Sequence, residues 1–335
     1  MMDIDNVKTI SFGDSNKESK HIAFCCDEKY VKYVGITVSS IIDNNPEEKF
    51  AFHIFVDLIG QDDKEKLQLL ASISGSSIHI HVIDNKIFGR MQLPENSGNL
   101  SIATFYRFIV PAILKDKAKK VLYLDADICV CGKLNDLFEI DLENKLAAVV
   151  EDFGEKQINS ATRGSERLNL SRYFNAGVIL FNIKNWNKYN LTDKSIKMSL
   201  EKVYTMADQD ILNILFKDQV VFTDEKYNYQ CSMSNELDNK KWEWERDIPD
   251  DICIIHYICG SKPWHSWTSN CKLVKNFYEP VLRKSLWKDV ILVEPLSYKE
   301  MHQAYRNCKL GKDLMAAIYW YFQYAVNKAI SKIKM

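Results

Sequence analysis

Two periodicities alternate between His21 and Val82 of this 335-residue chain, and that alternation limits the fold more than any other feature. His21 to Phe24 begins an apolar run of β character. Val31, Val34, Val38, Ile41 and Ile42 then recur at helical spacing up to a turn at Asn44-Asn45-Pro46. Phe50 to Val56 reads as a second buried strand, Gln61 to Ser72 as a helix and Ile78 to Val82 as a third strand. Strand, helix, strand, helix, strand is the opening of an α/β fold with a parallel sheet and right-handed crossovers. Ligands of such sheets bind beyond the carboxyl ends of the strands, so Asp27, just past the first strand, is a candidate contact.

Further along, VLYL (Val121 to Leu124) runs straight into Asp125-Ala126-Asp127. Strands are expected at Ala147 to Val150 and Val178 to Asn182, a helix from Asp208 to Phe216, and a last core strand at Ile252 to Ile255. Beyond Pro263 the stretch WHSWTSN is loop-like, and from about Lys275 short helical pieces carry basic and aromatic residues, which puts a domain boundary near residue 275.

Composition closes off several classes. Lys and Arg number 44 against 45 Asp and Glu, a net charge of -1, so no basic field exists to favour nucleic acid. The closest glycines, Gly89 and Gly98, are too far apart for GxGxxG, Walker or GxSxG motifs, and no His is followed by Glu as the HExxH zinc proteases require. The cysteines number nine, an odd and scattered set that suits reduced thiols in the cytosol better than a disulfide framework. The N-terminus is polar and lacks the apolar core of a signal peptide. No run reaches the roughly 20 apolar residues of a spanning helix. Leu314 to Val326, interrupted by Gln323, comes nearest, so a soluble or membrane-surface protein is expected.

A few residues could carry chemistry. Asp125 and Asp127 alternate at the end of an apolar strand, which would set both carboxylates on one side about 6 to 7 Å apart. A hard divalent cation such as Mg or Mn would stabilise them and could bridge to a diphosphate, while a helix N-cap or a turn with two solvated acids is the plainer alternative. His256 follows another apolar strand, where a packed or hydrogen-bonded His is the plain reading, but Lys262 six residues on could neutralise phosphate, and the cluster of Tyr257, Gly260, Pro263, Trp264 and His265 is aromatic enough to stack on a ring. Asp208-Gln209-Asp210 opens an amphipathic helix, where acids suit the positive end of the dipole, although that leaves the Gln unexplained. Asn175-Ala176-Gly177 interrupts an apolar strand, as close approach of a ligand would allow. Arg107, in TFYRFIV, reads as the solvated cation of an amphipathic helix.

The motifs CCDEKY, SIATFYR, VLYLDADICV, YFNAGVILFN, ADQDILN and HYICGSKPWH stand in an order that resembles glycosyltransferase family 8 over roughly residues 20 to 270. That family comprises retaining nucleotide-sugar transferases, and the likeness is strongest to its bacterial lipopolysaccharide core hexosyltransferases. The resemblance implies a GT-A sheet with helices on both faces over residues 20–274, and a small helical C-terminal extension, 275–335, at the membrane surface. It further implies that Asp125, Asp127 and His256 ligate Mn2+ or Mg2+ together with a UDP-hexose diphosphate. Cys25, Cys26 and Asp27 would lie against the uridine, Arg107 and Lys262 would face donor charge, and Ala126 and Gly260 would complete the donor site. Asn175 and Asp208 would hydrogen-bond the hexose, Gln209 would sit near the anomeric carbon, and Asp152 would meet the acceptor. Two departures stand out: Cys259 holds a position that is often Gly in relatives, with Gly260 one later, and Lys29 stands where an Asn sometimes touches the donor.

The implied activity is α-retaining transfer of glucose or galactose to a lipopolysaccharide sugar hydroxyl, by a cytoplasmic enzyme peripheral on the inner membrane. A non-catalytic sugar-nucleotide or glycan-binding protein is the rival, against which the complete metal set argues. A glycosidase using Asp208 and Asp210 is disfavoured, because residues two apart on a helix point to different sides. The segment Met301 to Met335 has six Lys or Arg, one acid and six aromatics, a composition suited to the headgroup boundary of a bilayer.

Overall fold

The computed structural model describes residues 7–14, 19–84, 86, 88–95, 100–156, 163–233 and 248–333. Parts of the polar N-terminal lead and Lys334 of the basic tail lie outside them. The chain forms two compact units, Met1–Tyr229 with Asp251–Ile255, and Gln230–Asp250 with His256–Met335.

In the first unit the strands are β1 (Lys8–Phe12), β2 (Lys20–Cys26), β3 (Phe50–Val56), β4 (Ser77–Val82), β5 (Lys120–Leu124), β6 (Ile128–Val130), β7 (Ala147–Glu151), β8 (Phe174–Asn182) and β9 (Val220–Phe222). The helices are α1 (Val31–Asn44), α2 (Gln61–Ser74), α3 (Val110–Ile113), α4 (Asn135–Glu139), α5 (Gly164–Leu168), α6 (Ile183–Lys188), α7 (Leu191–Glu201) and α8 (Ala207–Leu215). Eight strands form a sheet in the order β1-β4-β3-β2-β5-β8-β7-β9. As the alternation requires, β2, β3 and β4 are parallel, with α1 and α2 as crossovers, and β5 adds parallel to β2. Beyond β5 the sheet turns mixed, because β8 runs antiparallel to both β5 and β7. Phe24, Phe52, Ile54, Leu122 and Leu180 are fully buried in it.

Strand β1 was not expected. It pairs antiparallel with β4 at the sheet edge, and its residues KTISF are mostly exposed, so it lacks an apolar signal. TFYRFIV is likewise no amphipathic α-helix: Ile102–Phe108 is a 3-10 helix buried from Ala103 to Phe108.

Neutral imidazoles cross β2, β3 and β4 in a row. Thr9 Oγ1 meets His81 Nδ1 at 2.9 Å, His81 Nε2 meets His53 Nδ1 at 3.1 Å, and His53 Nε2 meets His21 Nδ1 at 2.9 Å. One proton per ring satisfies every link. Burial, reinforced by the Lys117 charge, lowers His81 to about 3, and burial lowers His21 to about 4, against 6.5 for a free imidazole. A histidine whose folded value is lowered stabilises the fold fully above pH 6.5 and loses that contribution as pH falls toward the folded value. For His81 the loss at pH 5 is about 2 kcal/mol. The thermal midpoint should therefore drop between pH 7 and pH 5. In His81→Gln the slope should lose about one proton, and an unchanged slope in melts of that variant would contradict the row's role.

In the second unit, β10 (Tyr229–Ser232) and β11 (Ile254–Ile258) are shared with the first at their ends, and the helices α9 (Glu279–Lys284), α10 (Tyr298–Leu310) and α11 (Leu314–Ile333) follow. A capping box at Ser297 and Glu300 starts α10. An aromatic seam packs it on α11, with His302 against Tyr324 at 4.5 Å and Tyr305 against Tyr321 at 5.2 Å between ring centroids. No helix among the described residues is long and apolar enough to cross a membrane.

Candidate active site

Arg107 is the hub of the site. It is 4 % exposed, which overturns the solvated-face reading. Its Nε donates to Thr104 O at 3.0 Å and one terminal nitrogen to Ala176 O at 2.7 Å, while its ion pairs reach Asp208 at 3.0 Å and Asp125 at 2.9 Å. The guanidinium also lies 4.3 Å from the centre of the Tyr123 ring. Sequence could not show this, because the carbonyl and both acids come from β8, α8 and the end of β5. Burial raises the Asp208 carboxyl, with the Arg107 charge and the Thr104 hydroxyl opposing. Burial also pushes the Cys25 and Cys26 thiols well up, so both stay protonated.

Asp125, Ala126 and Asp127 occupy a turn between β5 and β6, not an extension of the strand as their alternation implied. Helix α1 holds that turn through polar side chains set one and two turns apart. Thr37 Oγ1 donates to Ile128 O at 2.6 Å, Ser40 Oγ accepts from Val130 N at 3.0 Å, and Asn44 Nδ2 donates to Val130 O at 3.0 Å. Asp125 N donates to Gly177 O, and Asp125 Oδ1 accepts from Tyr123 OH at 2.7 Å as well as from Arg107. The Asn175-Ala176-Gly177 interruption is thus a bulge: β7 pairs Val149 with Ile179 and Val150 with Asn175, and the residues between face the end of β5.

His256 was expected at a strand end and instead sits inside β11, directly after Ile255 of the first unit. Ligand atoms of Asp125, Asp127 and His256 all lie within 4.8 Å of one another, a cluster of candidate metal ligands. Two carboxylates and an imidazole are a donor set that a divalent metal ion can take.

The Gln209 amide bridges a backbone N–H and a carboxylate. Its Oε1 accepts from Ala176 N at 2.9 Å and its Nε2 donates to Asp152 Oδ2 at 3.1 Å. Asn175 Nδ2 reaches the same Asp152 oxygen at 3.2 Å, and Asn228 Nδ2 donates to Asn175 Oδ1 at 3.0 Å. Asn228 was not anticipated, having no motif around it. Burial raises the Asp152 carboxyl, with the Asn175, Gly154 and Gln209 donors opposing. Asp27 follows β2 as expected, and its Oδ1 is buried without a hydrogen-bond partner among the described residues.

Residues 21–268 match Glycosyl transferase family 8, about three quarters of the sequence. The chain belongs to glycosyl transferase family 8. It is 30% identical over 326 residues to a lipopolysaccharide 1,3-galactosyltransferase of Salmonella typhimurium, covering 94% of this chain and 93% of that one. It is 33% identical over 284 residues to a lipopolysaccharide glucosyltransferase of Escherichia coli K12, covering 82% and 80%. Its fold is that of the galactosyltransferase LgtC, solved with donor and acceptor sugar analogues, at a TM-score of 0.67 and 21% identity over 79% of this chain and 96% of that one.

Within this family 8 protein the second-unit residues form a built turn. Cys259 has φ 67°, so the backbone keeps the left-handed conformation that Gly adopts freely, although a Cys stands there. Lys262 Nζ donates to Tyr257 O at 2.8 Å, Lys262 N donates to His265 Nδ1 at 3.2 Å, and Thr268 Oγ1 donates to Lys262 O at 2.9 Å. Gly260 lies between Cys259 and this bonded segment.

Proposed function

We propose that this glycosyltransferase moves glucose or galactose from its UDP-hexose, with retention of the α configuration, to a sugar hydroxyl of the lipopolysaccharide outer core. The observation that carries the reading is the clustering of Asp125, Asp127 and His256 beside the Arg107–Asp208 ion pair. The names and full-length similarity of the lipopolysaccharide hexosyltransferases support the substrate class.

Asp125, Asp127 and His256 would hold a divalent ion, Mn2+ or Mg2+, which when bound would supply positive charge to a departing diphosphate. The chain's own residues do the rest. Arg107 holds Asp125 and Asp208 in place through its two ion pairs. The orphan oxygen of Asp27, past Cys25 and Cys26, suits an N–H or hydroxyl of a nucleoside. Asn175 and Asp208 bind hexose hydroxyls, Ala126, Gly260 and Lys262 complete the donor contacts, and Asp152 receives the acceptor. Gln209 is a neutral amide engaged at both ends, a poor nucleophile, so the acceptor oxygen attacks on the face the diphosphate leaves and the diphosphate takes its proton. Residues 20–274 perform this chemistry.

Residues 275–335 bring the enzyme to the cytoplasmic face of the inner membrane. Helix α11 supports this role: Met315, Ile318 and Phe322 are 80%, 68% and 64% exposed, with Lys328 farther along. The five net positive charges of 301–335 contribute at most about 5 kcal/mol at an anionic surface.

The test uses purified protein, Mn2+, UDP-glucose, UDP-galactose and truncated lipopolysaccharide. Metal-dependent donor hydrolysis and an α-linked product by NMR coupling constants are expected. Donor binding without turnover would favour the non-catalytic alternative, and a β-linked product would refute retention. Deleting residues 301–335 should release the protein from anionic vesicles yet preserve hydrolysis.

A further inference from the structure

One buried carboxylate at the site takes no part in the chemistry above. Asp210 is 0% exposed and has every lone-pair direction engaged. Arg167 spans both oxygens, donating to Oδ2 at 2.6 Å and to Oδ1 at 2.7 Å. Tyr173 OH donates to Oδ1 at 2.6 Å, and Met206 N to Oδ2 at 3.1 Å. A carboxylate with four donors on its four sites has none left for a proton or a sugar carbon.

The partners of Asp210 reach both the start of α8 and the turn at Asp152, the two segments that Gln209 links. Met206 and Ala207 begin α8, and Ala207 has φ 44°, a left-handed conformation that an alanine does not adopt unaided. The Asp210 bond to Met206 N closes that first turn, from which Asp208 and Gln209 project. Tyr173 reaches the Asp152 turn, where its carbonyl accepts from Asp152 N at 3.0 Å. Gly164 of α5 packs flat on the Tyr173 ring, where an added Cβ would come to 2.5 Å. Arg167, three residues on, is only 25% exposed.

We propose that Arg167, Asp210 and Tyr173 form a brace that sets the distance between α8 and the Asp152 turn, and so fixes the amide of Gln209 for transfer. All three are positioning residues, and Asp210 is neither nucleophile nor base. The inference rests on the transferase reading.

The experiment measures Mn2+-dependent turnover of the preferred UDP-hexose by wild type, Arg167→Lys, Asp210→Asn, Tyr173→Phe and the Arg167→Lys/Asp210→Asn double variant. Folded sites are counted by UDP calorimetry, so that a merely structural loss does not enter kcat. Lys keeps the charge of Arg but cannot span both oxygens, which makes it the mildest probe of the brace if Asp210→Asn folds poorly. Expected are a fall in kcat per UDP-binding site of roughly 10- to 100-fold for Asp210→Asn, a smaller fall for the other single variants, and donor KM within about twofold throughout. The double variant should be no slower than Asp210→Asn. Unchanged kcat per site in Arg167→Lys and Tyr173→Phe would overturn the brace. So would a loss of about 10⁴ or more confined to Asp210→Asn, which would make that carboxylate the reacting group. Wild type that turns over neither UDP-glucose nor UDP-galactose removes the transferase reading and the brace with it, whereas active wild type with unimpaired variants removes the brace alone.

Discussion

Asp127→Asn should lower sugar transfer at least about a hundredfold while leaving the thermal midpoint within a few degrees, because it removes charge from the donor set without touching the Arg107 pairs. The measurement is turnover of UDP-hexose across a Mn2+ titration beside a melt of the same sample. Near-normal turnover at saturating Mn2+ would sink the metal assignment. Asp125→Asn should be as inactive but also less stable. Its Oδ1 accepts from Tyr123 OH and from Arg107, so neutralising it strips a buried guanidinium of one of its two counter-charges. The contrast between the two variants separates metal ligation from the ion-pair network, which no single substitution does.

Replacing Arg107 by Met should cost about 3–5 kcal/mol of folding free energy, since it leaves the buried Asp208 facing Asp125 with no cation between them. The expected reading is a drop in denaturation midpoint measured at pH 7. The sign of its pH dependence follows from Asp208, whose carboxyl is already raised by burial. Without Arg107 its folded value rises further above the unfolded one, and such a group destabilises increasingly as pH climbs through that range. The Arg107→Met protein should therefore recover part of its deficit near pH 5. A deficit that grows on acidification would mean that the Arg107–Asp208 pair is not what the substitution breaks.

Several parts of the site are legible in the amino-acid sequence. Asp125 and Asp127 stand out because they end an apolar run, Asn175-Ala176-Gly177 because small and polar residues break one, and Gln209 because a dipole argument explains its acidic neighbours and not the amide. All of them lie at the Arg107 and Asp152 networks. Helix α1 carries a pattern whose meaning emerges only in the fold: Thr37, Ser40 and Asn44 fall on one face inside an apolar helix, and that face binds the strand leaving the Asp125–Asp127 turn. The histidines of β2, β3 and β4 alternate with apolar neighbours as any strand residues do, so their row across the sheet exists only once the strands are in register.

The sequence by itself determined which segments become strands and helices at the core, and the parallel opening of the sheet, because hydrophobic period reports how a side chain faces relative to its own element. Tertiary structure alone decided how the charges are used. Arg107 meets Ala176 from 69 residues away and Asp125 from 18, and Arg167 meets Asp210 from 43. Such pairings depend on the register of distant strands and on the bulge between β7 and β8, which local periodicity does not encode. A cation in an amphipathic segment looks alike whether water or two carboxylates brought from distant elements neutralise it, and only the packed chain makes the difference.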